Sequence, residues 1–163
     1  MRVRSRDAVG RPLVLDEVAG AVRVEHGEES AVEETGRVAL VAQFSADARI
    51  SRSLLELVRQ LAENGYRSVV SSTCEAPGPL EWPGPLPDGT VVLRRPNVGY
   101  DFGSWAVALD RFPQVAGLER VILTNDSMVG PFAPIAPLLE HFERNPADVW
   151  ALTDSYQLGR HLQ

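Results

Sequence analysis

Two short stretches carry most of the residues that could do chemistry. The first is Arg94-Arg95-Pro96-Asn97-Val98-Gly99-Tyr100-Asp101-Phe102-Gly103, which puts two arginines, two glycines and a carboxylate ahead of a helix-like segment. Such a combination suits close backbone approach to a phosphate and fork-shaped recognition of its oxygens by Arg94 and Arg95. An equally good reading has Gly99 and Gly103 serving turn geometry, with both arginines solvated. The second stretch is Asn125-Asp126-Ser127, directly after the apolar run RVILT (120–124). An Asp at the end of a buried strand is held by rigid scaffold, as a hard divalent cation bridging phosphates requires. The alternative is an Asx turn, in which Asn125 or Asp126 bonds backbone amides on the way to Gly130-Pro131.

Composition removes several other chemistries. All 16 basic residues are arginine, so a P-loop, a Schiff-base lysine and a Ser-Lys dyad are excluded. Cys74 is the single cysteine, which leaves no internal disulfide and no thiolate cluster, and a buried inert thiol is the expected state. The formal charge of −6 argues against nucleic acid as a partner, because that attraction needs clustered positive charge. No Gly-x-Gly-x-x-Gly follows the first predicted strand, which argues against an NAD-type oxidoreductase. No apolar run is long enough to span a bilayer, and the N-terminus lacks the apolar stretch of a signal peptide, so a cytoplasmic location is expected. Asp154 and His161 are polar residues after the last predicted strand, but spacing alone assigns them nothing.

The elements that would position these residues follow from periodicity. Residues 1–36 lack sustained periodicity and become acidic through Glu25, Glu28, Glu29, Glu33 and Glu34. They read as a poorly ordered extension with a short strand near Pro12 to Leu15. The domain is expected to run from Arg37 to Gln163. Val38 to Phe44 reads as a strand buried on both faces. A helix follows from the spacing of Ile50, Leu54, Leu57, Val58 and Leu61, with a capping box at Ser53 and Glu56 and a stop at Asn64-Gly65. Further strands are predicted at Ser68–Thr73, Thr90–Leu93, Arg120–Thr124 and from Asp148 to Leu152. Helices are predicted at Ser104–Phe112 and Pro134–Arg144, the first with Trp105, Leu109 and Phe112 on one face. Six prolines between Pro77 and Pro96 enforce an extended excursion. Alternation of strands and helices predicts an α/β layered fold with a mainly parallel sheet. In such sheets ligands bind outside the carboxyl ends of the strands. Those ends carry Ser45 and Asp47; Ser72, Thr73 and Glu75; Asn97 and Asp101; and Asn125, Asp126 and Ser127.

Four motifs in order, NVGYDFGSW (97–105), VILTNDSMVGPF (121–132), DVWALTDS (148–155) and HLQ (161–163), resemble the rhamnan synthesis protein F family of bacterial polysaccharide assembly. The resemblance covers about Arg37 to Gln163, and the Asn-Asp-Ser-x-x-Gly-Pro element is its most distinctive part. It implies a three-layer α/β/α fold of GT-A-like, nucleotide-diphospho-sugar transferase type. It implies a glycosyltransferase of rhamnan or lipopolysaccharide synthesis, moving a sugar, rhamnose from dTDP-rhamnose, to a glycan or lipid-linked glycan acceptor. The donor would be bordered by Arg95, Asn97, Gly99, Asp101, Gly103, Asn125 and Ser127. Asp126 would be the contact of a Mg²⁺ or Mn²⁺ ion, in the place of the GT-A Asp-x-Asp motif, and the catalytic base is unassigned. The protein would work at the inner face of the membrane beside other polysaccharide-assembly proteins. Two departures bear on this. Asn-Asp-Ser has one carboxylate where the usual motif has two, and the chain stops at HLQ where family members continue, so the fold is expected to be incomplete at its C-terminus. The competing expectation is therefore a catalytically incomplete donor-binding or assembly module.

Overall fold

A computed structural model describes residues 14–18, 20–145, 147–152, 154–155 and 161–162. It is an α/β structure that divides into two compact units, Met1–Ala133 and Pro134–Gln163. The first unit holds a five-stranded mixed sheet. Its strands are β1 (Arg23–His26), β2 (Arg37–Gln43), β3 (Arg67–Ser72), β4 (Val91–Arg94) and β5 (Arg120–Asn125), in the spatial order β1-β4-β3-β2-β5.

Four of these strands are parallel, and β1 runs antiparallel to β4 at the edge. The apolar run of β2 is buried from Val38 to Gln43, as expected of a strand covered on both faces. Its alternate residues Val38 and Leu40 join Val69, Val91 and Leu93 in a core with Ala108, Phe112 and Val115; Trp105 and Leu109 pack against the margin of this core. The predicted shared face of Trp105, Leu109 and Phe112 is thus the packed one.

Helix α3 (Arg52–Glu63) follows β2 and buries Leu54, Leu55, Val58 and Leu61. Its cap differs from the expected box. Ser51 has the extended backbone of a cap and its Oγ accepts from Leu54 N at 3.1 Å, whereas Ser53 Oγ accepts from Gly130 N and Glu56 bonds Gln60. Gly65, at φ 81°, ends the helix in the left-handed region as predicted. Helix α4 (Tyr100–Arg111) starts four residues earlier than the sequence suggests. A 3-10 turn, Pro113–Gly117, leads from it to β5.

The segment expected to be a poorly ordered extension with one short strand contributes three elements. Helix α1 (Val14–Val18) replaces the predicted strand at Val14 and Leu15, with Pro12 and Leu13 outside the described residues. Strand β1 and the short helix α2 (Ser30–Glu33) follow, and Val32 of α2 is fully buried in the core. Strand β1 escaped a periodicity reading because its sequence, Arg-Val-Glu-His, is polar. It is fixed by charge instead: Glu25 accepts from Arg94 Nη1 at 2.9 Å and from Leu80 N at 2.7 Å.

In the second unit, helix α5 (Ala136–Arg144) buries none of its residues. No strand forms at 148–152. Phe142 instead stacks on Trp150, with ring centroids 5.2 Å apart, and His141 meets both rings edge-on. The short strands β6 (Asp154–Ser155) and β7 (His161–Leu162) pair antiparallel. Among the described residues no helix is long and apolar enough to cross a membrane.

Candidate functional site

The strand order dictates where a crevice can open. From β2 the chain moves through α3 to β3 and on to β4, then returns through α4 to pair β5 with the other side of β2. The order reverses between β2 and β5, and in open α/β sheets that switch point is where ligands bind. Its carboxyl edge is formed by Gln43, which ends β2, with Phe44 after it, and by Asn125, which ends β5, with Asp126 after it.

These four residues are stitched together. Asp126 N donates to Ala42 O at 3.1 Å, and Phe44 N donates to Asp126 Oδ2 at 3.2 Å. The Gln43 side chain also donates to Asp126. Burial nevertheless raises the Asp126 carboxyl above its ordinary pKa, because these hydrogen bonds offset only part of its desolvation and the Asp101 charge adds to the rise. Asp101 reaches the same edge from the first turn of α4, where the helix dipole favours a carboxylate. Its Oδ2 accepts from Asn125 Nδ2 at 2.7 Å. Asn125 Oδ1 accepts in turn from Ser127 N at 3.2 Å, so the Asx turn is present and coexists with the placement of Asp126 at the strand end. Gln43 is 3% exposed and its Oε1 has no hydrogen-bond partner among the described residues. A strong acceptor beside Asp126 therefore lacks a donor.

The arginines behave as neither sequence reading expected. Arg95 is buried, and all five of its N–H groups are engaged: Nε and Nη2 with Ser104 Oγ, Nη1 with Pro96 O and Val98 O, and Nη2 with Tyr100 O. Its pKa is lowered by that burial, while Asp101 works in the opposite sense. Arg94 is buried as well, and its two terminal nitrogens donate to Glu25, Gly78 O, Cys74 O and Ala76 O. Both side chains tie nearby backbone carbonyls together. Neither is solvated, and Arg95 has no donor left for a phosphate.

Gly99 and Gly103 are present because the loop held by Arg95 lies against the helix. A Cβ on Gly103 would stand 2.3 Å from Val98 O, and one on Gly99 would stand 2.6 Å from Val14 Cγ2. Gly99 has φ 80° and is followed by Tyr100 at φ 52°, the one non-glycine residue in the left-handed region among those described. Asn97 lies exposed in the same loop, and Ser127 is exposed after β5.

Among the remaining strand-end residues, Ser45 Oγ is buried without a hydrogen-bond partner among the described residues. Asp47 Oδ1 caps a turn by accepting from Arg49 N, Ser72 Oγ accepts from Cys74 N, and Thr73 Oγ1 donates to Gln43 O. Cys74 is a buried free thiol, as expected, directed at Asp47 O. Glu75 is exposed. Asp154 and His161 are described only as members of the β6–β7 pair. Sequence reasoning passed over Gln43, Tyr100 and Trp105, whose indole Nε1 donates to Thr124 O at 3.0 Å and fastens α4 to β5. Gln43 could have been found as the one polar residue inside the otherwise apolar run VALVAQF. An open depression of about 310 Å³ lies elsewhere, between the C-terminal turn of α3 and Pro85 to Pro87.

The fold and the crevice define an α/β protein with an acceptor-rich site at the carboxyl edge of its parallel strands. Residues 89–162 match the family model of rhamnan synthesis protein F. The family's description links it to polysaccharide synthesis. Virulence protein VirA of Vibrio anguillarum (strain ATCC 68554 / 775) is 38% identical over 76 residues, which cover 45% of this chain and 23% of the relative. A second VirA from Vibrio anguillarum matches with the same figures, so the chain spans 23% of the length of these relatives. No solved structure matches.

Proposed function

We propose that the chain is the donor-side half of a glycosyltransferase of cell-surface polysaccharide synthesis. It would transfer rhamnose from dTDP-rhamnose to a glycan or lipid-linked glycan, at the inner face of the membrane and beside other assembly proteins. The finer architecture in this reading is three-layered and GT-A-like, with α3 and α4 on opposite faces of the sheet. The supporting observation is the meeting of Asp101, Asn125 and Asp126 at the switch point.

The donor set fits a hard divalent cation such as Mg²⁺ or Mn²⁺. It consists of oxygens only, it includes the donorless Oε1 of Gln43 beside Asp126, and Asp101 supplies the second carboxylate that Asn125-Asp126-Ser127 lacks. Among the described residues no group of three or more His, Cys, Asp or Glu could hold a metal. Asp126 and Asp101 would hold the ion, with substrate oxygens and water completing its shell, and it would neutralise the departing diphosphate. In this reading Asn97 and the backbone at Gly99 and Gly103 border the donor, and Asn125 positions Asp101. Ser127 faces the sugar side, while Arg95 acts by shaping the loop.

Calorimetry with dTDP-rhamnose and Mn²⁺ tests this. Binding should weaken about tenfold or more in Asp126→Ala and in Asp101→Ala, the scale expected when a charged partner is lost. Equal binding by wild type and both variants would sink the site assignment. A second reading is a binding or assembly module that does not turn over. Donor binding without any donor hydrolysis would favour it.

A further inference from the structure

Tyr100 combines two costs that no side-chain contact among the described residues recovers. Its φ of 52° is a conformation that L-residues other than Gly, Asn and Asp rarely adopt, and its side chain is 87% exposed. The strain is imposed from beneath: Arg95 Nη2 donates to Tyr100 O at 2.8 Å, and Gly103 N donates to Gly99 O at 2.8 Å. Glycine would fill this position without strain, as it does at the neighbouring residue. A bulky aromatic held in a strained backbone and turned to solvent is a feature of binding sites, where a partner outside the chain supplies the missing contact.

The surroundings define that partner. Asp101 follows Tyr100 directly and is tied to Asn125, and Asp126 comes next in the chain. The polar part of the crevice presents carboxylates, while Arg95 and the terminal nitrogens of Arg94 are committed to loop carbonyls. Without an added cation such a surface repels anions and attracts hydroxyl donors. An exposed aromatic one residue before such an acceptor suits a pyranose, which has one face of C–H groups and a rim of hydroxyls. A nucleobase fits less well, since its carbonyl oxygens would face the carboxylates.

We propose that Tyr100 is a stacking platform for a pyranose ring of a neutral glycan, whose hydroxyls donate to those oxygens of Asp101 and Asp126 that do not hold the ion. This rests on the sugar-transfer reading of the same crevice and adds the residue that selects the ring. It also assigns the work of the Arg95 cage, which is to hold Tyr100 in its presenting conformation.

The test uses the full chain without nucleotide or metal, titrated with a neutral rhamnose trisaccharide by calorimetry and saturation-transfer NMR. The expected result is binding that weakens about tenfold in Tyr100→Ala and Tyr100→Gly, the range of one aromatic stacking contact, and is retained in Tyr100→Phe. The thermal midpoint of Tyr100→Gly should be at least that of wild type, because the strain is relieved, so a loss of binding there is not a loss of fold. Wild-type affinity in Tyr100→Gly overturns the proposal. Failure of the trisaccharide to bind, with dTDP-rhamnose and Mn²⁺ still bound, overturns it and leaves the donor site standing. Tyr100-dependent trisaccharide binding without any nucleotide-sugar binding supports it and overturns the donor site. Thymidine binding that needs Tyr100, with trisaccharide binding that does not, assigns the platform to a base and overturns it.

Discussion

Replacing Arg95 with alanine separates an anion ligand from a structural pillar. As a phosphate contact, its loss would weaken ligand binding and leave stability untouched. The structure predicts the reverse order of effects. Five N–H groups donate to Pro96 O, Val98 O, Tyr100 O and Ser104 Oγ, and a hydrogen bond from a charged donor contributes about 1.5–3 kcal/mol net. The five cannot be summed. The guanidinium is desolvated, which is why its pKa is lowered, and that cost disappears with the side chain. Carbonyls near the exposed Pro96 can also take up water once released. A net loss of about 2–4 kcal/mol is expected, close to the effect of breaking a buried charged network. With a urea dependence of about 2 kcal/mol per molar, the unfolding midpoint should fall by roughly 1–2 M. Tryptophan fluorescence is a suitable probe, since Trp105 bonds β5 from the helix that this loop starts. Ser104→Ala, which removes two of the five bonds, should cost about 1 kcal/mol. A midpoint for Arg95→Ala within about 0.5 kcal/mol of wild type would refute the pillar and restore the anion reading.

Two further substitutions probe the same crevice. Gly103→Ala puts a Cβ 2.3 Å from Val98 O, a backbone atom that cannot rotate away, so it should cost more than about 2 kcal/mol in the same urea assay, despite alanine's better helix propensity. Asp126→Asn should stabilise the chain at pH 7 by up to about 1 kcal/mol. Burial, with Asp101 adding, raises the Asp126 pKa, so the folded chain holds that proton more tightly than the unfolded chain does. Its contribution to stability is fully present below the ordinary carboxylate pKa and is lost as pH climbs through the raised value. The gain from Asp126→Asn should therefore shrink towards zero on acidification, and thermal melts from pH 3 to pH 7 will show a growing or a flat difference.

Legibility varied with the kind of interaction. Strand β2 and helix α3 are written in apolar periodicity, and their positions follow from the pattern to within one or two residues. The switch-point edge follows too, because chain order and the ligand rule together bring Asp126 and Asp101 towards one crevice. What the pattern could not convey was buried charge. Arg94 and Arg95 read as surface groups since arginine is mostly exposed, and only three dimensions show each one surrounded by carbonyls. Strand β1 was missed for the same reason: its Glu25 looks like part of an acidic run until Arg94 is placed beside it. Helix α4 begins at Tyr100 where the buried Arg95 guanidinium fixes the turn before it, and backbone propensity does not encode that side-chain contact.

The sheet order has a consequence for where this protein can be cut. The stretch that carries the family signal, residues 89–162, holds only β4 and β5 of the five strands, and these two never touch. They are joined through β3 and β2, which come earlier in the chain, and Asp126 takes its hydrogen bonds from Gln43 and Phe44. The recognisable stretch is therefore not a self-sufficient module. A boundary for expression, swapping or annotation transfer drawn at residue 89 would divide the crevice, leaving its most diagnostic half without the strands that make it a sheet.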